Sequence, residues 1–258
     1  MKKEKILEII NKNEGIERIN IGEDLLEKYL AKNPNDIDAW LRLAVLENSP
    51  PMCDFPKAID CLLKVLEIDP NNFEAAMLLA YTFHYHFPDT EFGQEVLELL
   101  SRLKTDDQEK QSMIEYAKAM IYELSDEKYI IEYEQALLKS ISLHQNHVAN
   151  YRALSRFYRL KGKKLKAIEF ADKAIKNVQK IYSEDDDSDW TSYNEDLNEF
   201  IKGTYLTSAT FDFLKENFEE CKDPNKIPKS MVDGFFVFYS RKGMTFCNRV
   251  PISSADKS

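Results

Sequence analysis

"NPNDIDAWLRLA", Asn33 to Ala44, returns 36 residues later as "DPNNFEAAMLLA", Asp69 to Ala80. Each copy writes Pro-Asn, a short polar step and then an Ala-containing apolar run. A phrase repeated at a fixed offset marks a chain built from repeated units, so the remaining sequence is read against that period. Between Pro34 and Pro70 runs a helical pattern in two pieces, with positions three and four apart. Trp40, Leu43, Ala44 and Glu47 form the first piece; Ala58, Leu62, Val65 and Leu66 form the second, after the breaker "NSPPM". This pattern predicts a helix, a turn and a second helix ended by Pro70. Ala44 and Ala58 suit close approach of the two helix axes. The repeated phrase is then the joint where one helix pair ends and the next begins.

Composition agrees with a helical chain. Among 258 residues there are only seven Gly and nine Pro, too few for a turn-rich β architecture. The formal charge of −10 opposes a general affinity for nucleic acid or anionic membrane, with local basic patches left open. The basic start "MKKEKILEIINKNE" lacks the continuous apolar core of a secretory signal, and no stretch reaches the length of a membrane span. These features predict a cytoplasmic protein. Cys53, Cys61, Cys221 and Cys247 form no C-x-x-C pair and are expected to be reduced.

The Pro34–Pro70 stretch resembles the tetratricopeptide repeat (TPR) family, whose helix-turn-helix unit of about 34 residues carries Trp, Leu, Gly or Ala, Tyr, Ala, Phe, Ala and Pro at set places. Trp40, Leu43, Ala44, Ala58, Leu62, Val65 and Pro70 fit those places, with two extra residues in the turn and Glu47 where an aromatic is usual. The next unit offers Ala76, Leu79, Ala80 and Phe83, and its second helix fits if one residue is inserted and Gly93 takes the small position. A third, degenerate unit follows in "SMIEYAKAMIYEL" and "YIIEYEQALLKSISL". The fourth places Tyr151, Leu154, Ser155, Tyr158, Gly162, Ala167 and Ala174 at family spacing without insertion, with Gln179 in place of the closing Pro. "KEKILEIINK" and "GEDLLEKYLAKNP" resemble a leading pair. The units expected are about 3–34, 37–70, 73–105, 108–145 and 148–181, with a weak pair at 188–220, so that 1–220 forms an all-α solenoid of TPR-like antiparallel helix pairs. Residues 221–258 form a tail or cap in which "GFFVFYSRKGMTFCNRV" reads as a β-hairpin at 235–250.

The resemblance implies binding without catalysis, in a concave groove lined by the first helix of each pair. By family spacing the groove positions are Asp38, Leu41 and Val45, then Glu74, Met77, Tyr81 and His84, then Ile114, Lys118 and Tyr122, then Arg152, Arg156 and Arg159. Phe83 is expected in the packing face. Leu41, Val45 and Leu78 stand where relatives that grip chaperone C-termini use Lys and Asn, which speaks against that ligand. The groove is thus expected to be apolar and aromatic at first and basic later. Arg152, Arg156 and Arg159 recur at i, i+4 and i+7 on one helix face, and Arg forks suit carboxylates or phosphates. Tyr151 to Ile168 holds seven basic residues and no acid, while "SEDDDSDWTSYNEDLNE" further on holds eight acids and no base. That acidic stretch, 184–199, is either a disordered loop or a segment docked on the arginines. It is a poor calcium loop, since Trp190 occupies the place of the turn glycine.

No phosphate loop, G-x-S-x-G or H-E-x-x-H is present. His84 and His86 lie on opposite sides of a helix, and His144 and His147 lack partners at ligand spacing. The sequence therefore predicts no catalytic residue, no cofactor and no metal. It predicts a protein or peptide partner with apolar and acidic features, no membrane association, and nucleic acid only as a minor reading through the arginine face. An adaptor, an immunity protein against a toxin, a secretion chaperone and an enzyme with an unfamiliar site are the readings to be separated.

Overall fold

The computed structural model describes residues 1–13, 15–48, 53–86, 90–124, 129–146, 148–181, 201–202, 235–237 and 247–249. The chain divides into two units, Met1–Lys104 and Thr105–Ser258.

In the first unit the described helices are α1 (Lys3–Asn11), α2 (Gly15–Leu30), α3 (Ile37–Glu47), α4 (Phe55–Ile68), α5 (Phe73–His86) and α6 (Thr90–Arg102). Each packs on its neighbour in sequence. The repeated phrase acts locally in the same way twice. Asp36 caps α3 by accepting the Ala39 N–H at 3.1 Å, and Asn72 caps α5 by accepting the Ala75 N–H at 3.0 Å; each satisfies an amide that has no partner within its helix. Asn71 also clamps the end of the next pair, donating Nδ2–H to the Lys104 carbonyl at 3.1 Å and accepting the Lys104 N–H at 2.7 Å. Asp54 caps α4, with Pro56 in its first turn where a missing N–H is harmless.

Small residues sit where the axes approach. Ala44 and Ala58 are fully buried. A Cβ on Gly22 would lie 2.5 Å from Leu46 Cδ1, and one on Gly93 would lie 2.8 Å from Phe83 Cζ, which gives Gly93 the small position expected of it. Phe83 is buried as expected and meets Phe92 edge-on at 5.9 Å. A buried hydrogen bond from Asn48 Nδ2 to Thr82 Oγ1, 3.0 Å, ties the end of α3 to α5. The helix read from "GEDLLEKYL" starts earlier than its family match, at Gly15, because buried Ile19 upstream of it keeps the helical spacing with Gly22, Leu26 and Leu30.

In the second unit the described elements are α7 (Gln108–Leu124), α8 (Ile130–Leu143), α9 (Val148–Leu160), α10 (Lys164–Ile181), β1 (Phe235–Val237) and β2 (Cys247–Arg249). Asp107 caps α7 through the Glu109 and Lys110 N–H groups. A buried polar knot joins three helices: the Ser112 and Ser140 hydroxyls lie 2.9 Å apart, and Asn150 donates to Ser140 Oγ at 2.5 Å. Gly162 closes α9 at φ +70°. The Lys163 N–H returns to the Tyr158 carbonyl at 2.8 Å and the Gly162 N–H to Arg159 at 2.9 Å, a left-handed helix stop that glycine adopts without strain. The strands pair antiparallel, Phe236 opposite Asn248. The weak pair 188–220 and the acidic stretch 184–199 lie outside the described residues, apart from helical Ile201 and Lys202.

Candidate partner-binding surface

The first and second helices of the pairs differ in how they are covered. α4 and α8 bury one stripe, Ala58, Cys61, Leu62 and Val65 in α4 and Tyr133, Ala136, Leu137 and Ser140 in α8, as amphipathic surface helices do. By contrast, the first helices α3, α5, α7 and α9 are enclosed over most of their circumference, while α1 buries only Ile6 and Ile10. In α5 every residue from Ala75 to Phe83 is buried; in α7 so is every residue from Ser112 to Ala117. Within α5 Ala75 to Ala80 is an unbroken apolar run, and a helix segment apolar on all sides stays out of water.

This enclosure corrects the expected groove lining. Leu41, Val45, Met77, Tyr81, Ile114 and Arg152 are all buried, Met77 at 0% exposure. Side chains that fill the space within the fold offer little surface to a partner, and Met77 offers none. Tyr81 in particular was expected in the groove, and it is 3% exposed. His84, Lys118, Tyr122, Arg156 and Arg159 are half-buried, as are Asp38 and Glu74. Lys118 is already engaged, since Glu115 accepts from it at 3.2 Å and from Lys139 of α8 at 2.9 Å. Burial pushes the Tyr122 hydroxyl above its ordinary pKa, with Glu132 and Glu115 adding to the shift.

The two units handle cations differently. In the first, the Lys57 ammonium of α4 sits among three carboxylates: Glu23, Glu27 at 2.7 Å and Glu47 at 3.1 Å. Burial alone would lower the Lys57 pKa, but these three acids outweigh it and hold the group above its ordinary value. Burial raises the Glu47 carboxyl, and Lys57 only partly offsets this. The same burial pushes the neighbouring Cys61 thiol up to about 12, so it is an inert thiol at neutral pH. Cys53 and Cys61 are both free. Cys61 and Lys57, with Leu30, Trp40 and Leu43, line an open cavity of about 430 Å³.

In the second unit the cations rest on aromatic rings. Tyr133, Phe157, Tyr158, Phe170 and Tyr151 form a continuous ladder with ring centroids 5.3–6.2 Å apart. Lys163 and Lys166 lie over Tyr158 at 5.7 and 4.8 Å, Lys161 over Phe157 at 6.0 Å and Lys173 over Phe170 at 4.9 Å, within or near cation–π range. Tyr158 donates its hydroxyl to Glu134 at 2.5 Å. Burial first, and this bond second, raise its pKa to about 12. The ladder was missed in the sequence because its rings come from three helices and share no period. Among the described residues no three His, Cys, Asp or Glu side chains converge on a metal-sized site, and no helix is long and apolar enough to cross a membrane.

Comparison with solved structures gives the fold a type. The chain is similar to MamA, with TM-score 0.53 and 19% identity over 68% of this chain and 91% of the other. It is also similar to MamA residues 41 to the end from Desulfovibrio magneticus RS-1, at 0.52 and 16% over 64% and 89%. PilW, described as a widely conserved type IV pilus biogenesis factor, matches at 0.54 and 14% over 84% and 90%. These are TPR-like helical repeat proteins. The fold is an all-α one of TPR-like helix pairs. No protein-family model and no curated protein matches the sequence.

Proposed function

We propose that the chain is a cytoplasmic protein-binding scaffold without catalytic activity, and that it takes an acidic segment of a dedicated protein partner against the face of α9 that carries Arg156 and Arg159. The observation behind this reading is the charge of that face. In a chain of net charge −10, Tyr151 to Ile168 has no acid, and Arg156 and Arg159 stand half-buried one turn apart. A partly desolvated guanidinium binds a carboxylate more strongly than a fully hydrated one, and its fork fixes the orientation. Arg152, at 6% exposure, serves the fold on this reading and does not meet the partner.

The test compares the chain, Arg156→Glu/Arg159→Glu and Arg156→Lys/Arg159→Lys as baits in an extract of the native host, with quantitative mass spectrometry of what each retains. A dedicated partner is retained by the chain, partly by the Lys variant, and not by the Glu variant, whose melting temperature stays close to that of the parent. A Glu variant that folds and retains the same proteins to the same extent removes the assignment.

A further inference from the structure

The turn from α9 to α10 is exposed without interruption from Leu160 to Lys166. Its sequence, "LKGKKLK", puts two leucines at 65% and 73% exposure on either side of Gly162, with Lys161, Lys163, Lys164 and Lys166 between and beside them. Among the described residues no carboxylate pairs with any of these four lysines; three of them are steadied instead over Phe157 and Tyr158. A Cβ on Gly162 would meet nothing within 4 Å. The turn is therefore a convex tip, and an apolar side chain there gains nothing from the fold.

We propose that this tip docks the protein on an anionic lipid bilayer, the two leucines entering the interface and the four lysines meeting lipid phosphates. Charge complementarity selects an anionic partner. The protruding shape selects a flat, deformable surface over an extended peptide, which needs a concavity. The leucines select lipid over nucleic acid, whose phosphates reward the lysines alone. Such mixed basic and apolar surface elements bind by burying a few apolar groups while each nearby cation adds electrostatic attraction. The net charge of −10 repels the rest of the chain from the same membrane, so contact is tip-first, reversible and sensitive to salt. This is a local exception to the absence of membrane association predicted from overall charge.

The test is flotation of the full chain with phosphatidylcholine vesicles, alone or with phosphatidylglycerol at about one part in three, at low and at physiological salt. The chain floats with the anionic vesicles, not with pure phosphatidylcholine, and less at higher salt. Lys163→Glu/Lys164→Glu lowers the partition coefficient at least ~20-fold, taking roughly fivefold per lysine removed. Leu160→Ser/Leu165→Ser lowers it on the order of tenfold with an unchanged melting temperature. Lys28→Glu/Lys32→Glu, equal in charge but on and just after α2, changes it by less than about threefold. Failure to float at low salt overturns the proposal, as does an equal loss in the α2 variant or no loss in the leucine variant. Tip-dependent binding of a soluble Glu/Leu peptide together with indifference to vesicles assigns the tip to a protein partner and also overturns it.

Discussion

The pairs α3/α4 and α9/α10 are built alike and treat positive charge in opposite ways. Around α3/α4 the Lys57 ammonium is surrounded by Glu23, Glu27 and Glu47, a cation whose field is spent within the fold. Around α9/α10 Lys161, Lys163 and Lys166 lie on or beside aromatic rings with no carboxylate opposite them among the described residues. A fourth, Lys173 over Phe170, is also paired on its own helix with Glu169 at 2.6 Å. The difference teaches that one helical framework can use the same residue type for cohesion in one pair and present it outward in another. Net charge alone does not distinguish the two.

The largest effects fall where the pairs are the same. Leu43 in α3 and Leu154 in α9 hold the same place in their pairs, at 1% and 0% exposure, so Leu43→Ala and Leu154→Ala should each cost about 2–5 kcal/mol in urea unfolding. A loss in only one pair would break the structural equivalence. Next comes Lys57→Met, which leaves Glu47 buried opposite no cation. A cost of about 2 kcal/mol is expected at pH 7, below the range for a fully buried pair because Lys57 is partly exposed. Lys164→Met should stay within about 0.5 kcal/mol.

The pH dependence gives that contrast a sign. A carboxyl whose folded pKa is raised, as at Glu47, penalises the fold above that pKa and ceases to do so once both states are protonated. The deficit of Lys57→Met should therefore shrink as pH falls from 7 toward the ordinary glutamate range. A deficit that stays constant or grows would show that Glu47 is not the group left unpaired.

A smaller effect separates the two copies of the repeated phrase. Asp36 caps α3 and also accepts from Tyr29 Oη at 2.9 Å and Lys3 Nζ at 3.0 Å; Asn72 caps α5 and hydrogen-bonds only locally with Asp69. Asp36→Ala should cost about 2 kcal/mol and Asn72→Ala about 1. Burial pushes the Asp36 carboxyl up, but the Ala39 N–H, Lys3 and Tyr29 outweigh it and hold its pKa below the ordinary range. Its stabilisation is thus present above the ordinary aspartate pKa and lost as pH falls through the lower folded value. The difference between the two variants should narrow in acid. Circular dichroism melts of both between pH 2 and 7 check it, on the order of a few degrees.

The joints of the fold were legible because their signals are local. Pro34 and Pro70 stop a helix, and the residues two places on, Asp36 and Asn72, favour the start of the next. Gly93 was legible as a small position, and its closeness to Phe83 gives the reason. The enclosure of α5 was harder to read, because Tyr81 and Met77 carry the same spacing whether a helix is covered on one face or on all. The arginine face of α9 was legible from spacing, whereas the burial of Arg152 depends on its place in the helix stack. The exposed leucines were passed over because a lone apolar residue at a turn has no period, and only its exposure distinguishes it from a core position.

The claim that α9/α10 faces a partner while α3/α4 serves the fold is tested most directly by site-specific crosslinking in the native host. A photo-reactive phenylalanine analogue is placed at Arg159 on α9 or, separately, at Lys64 on the partly exposed side of α4. A discrete protein adduct at Arg159, absent at Lys64 and absent without light, is the predicted result. The same adduct at Lys64 with none at Arg159 would contradict it.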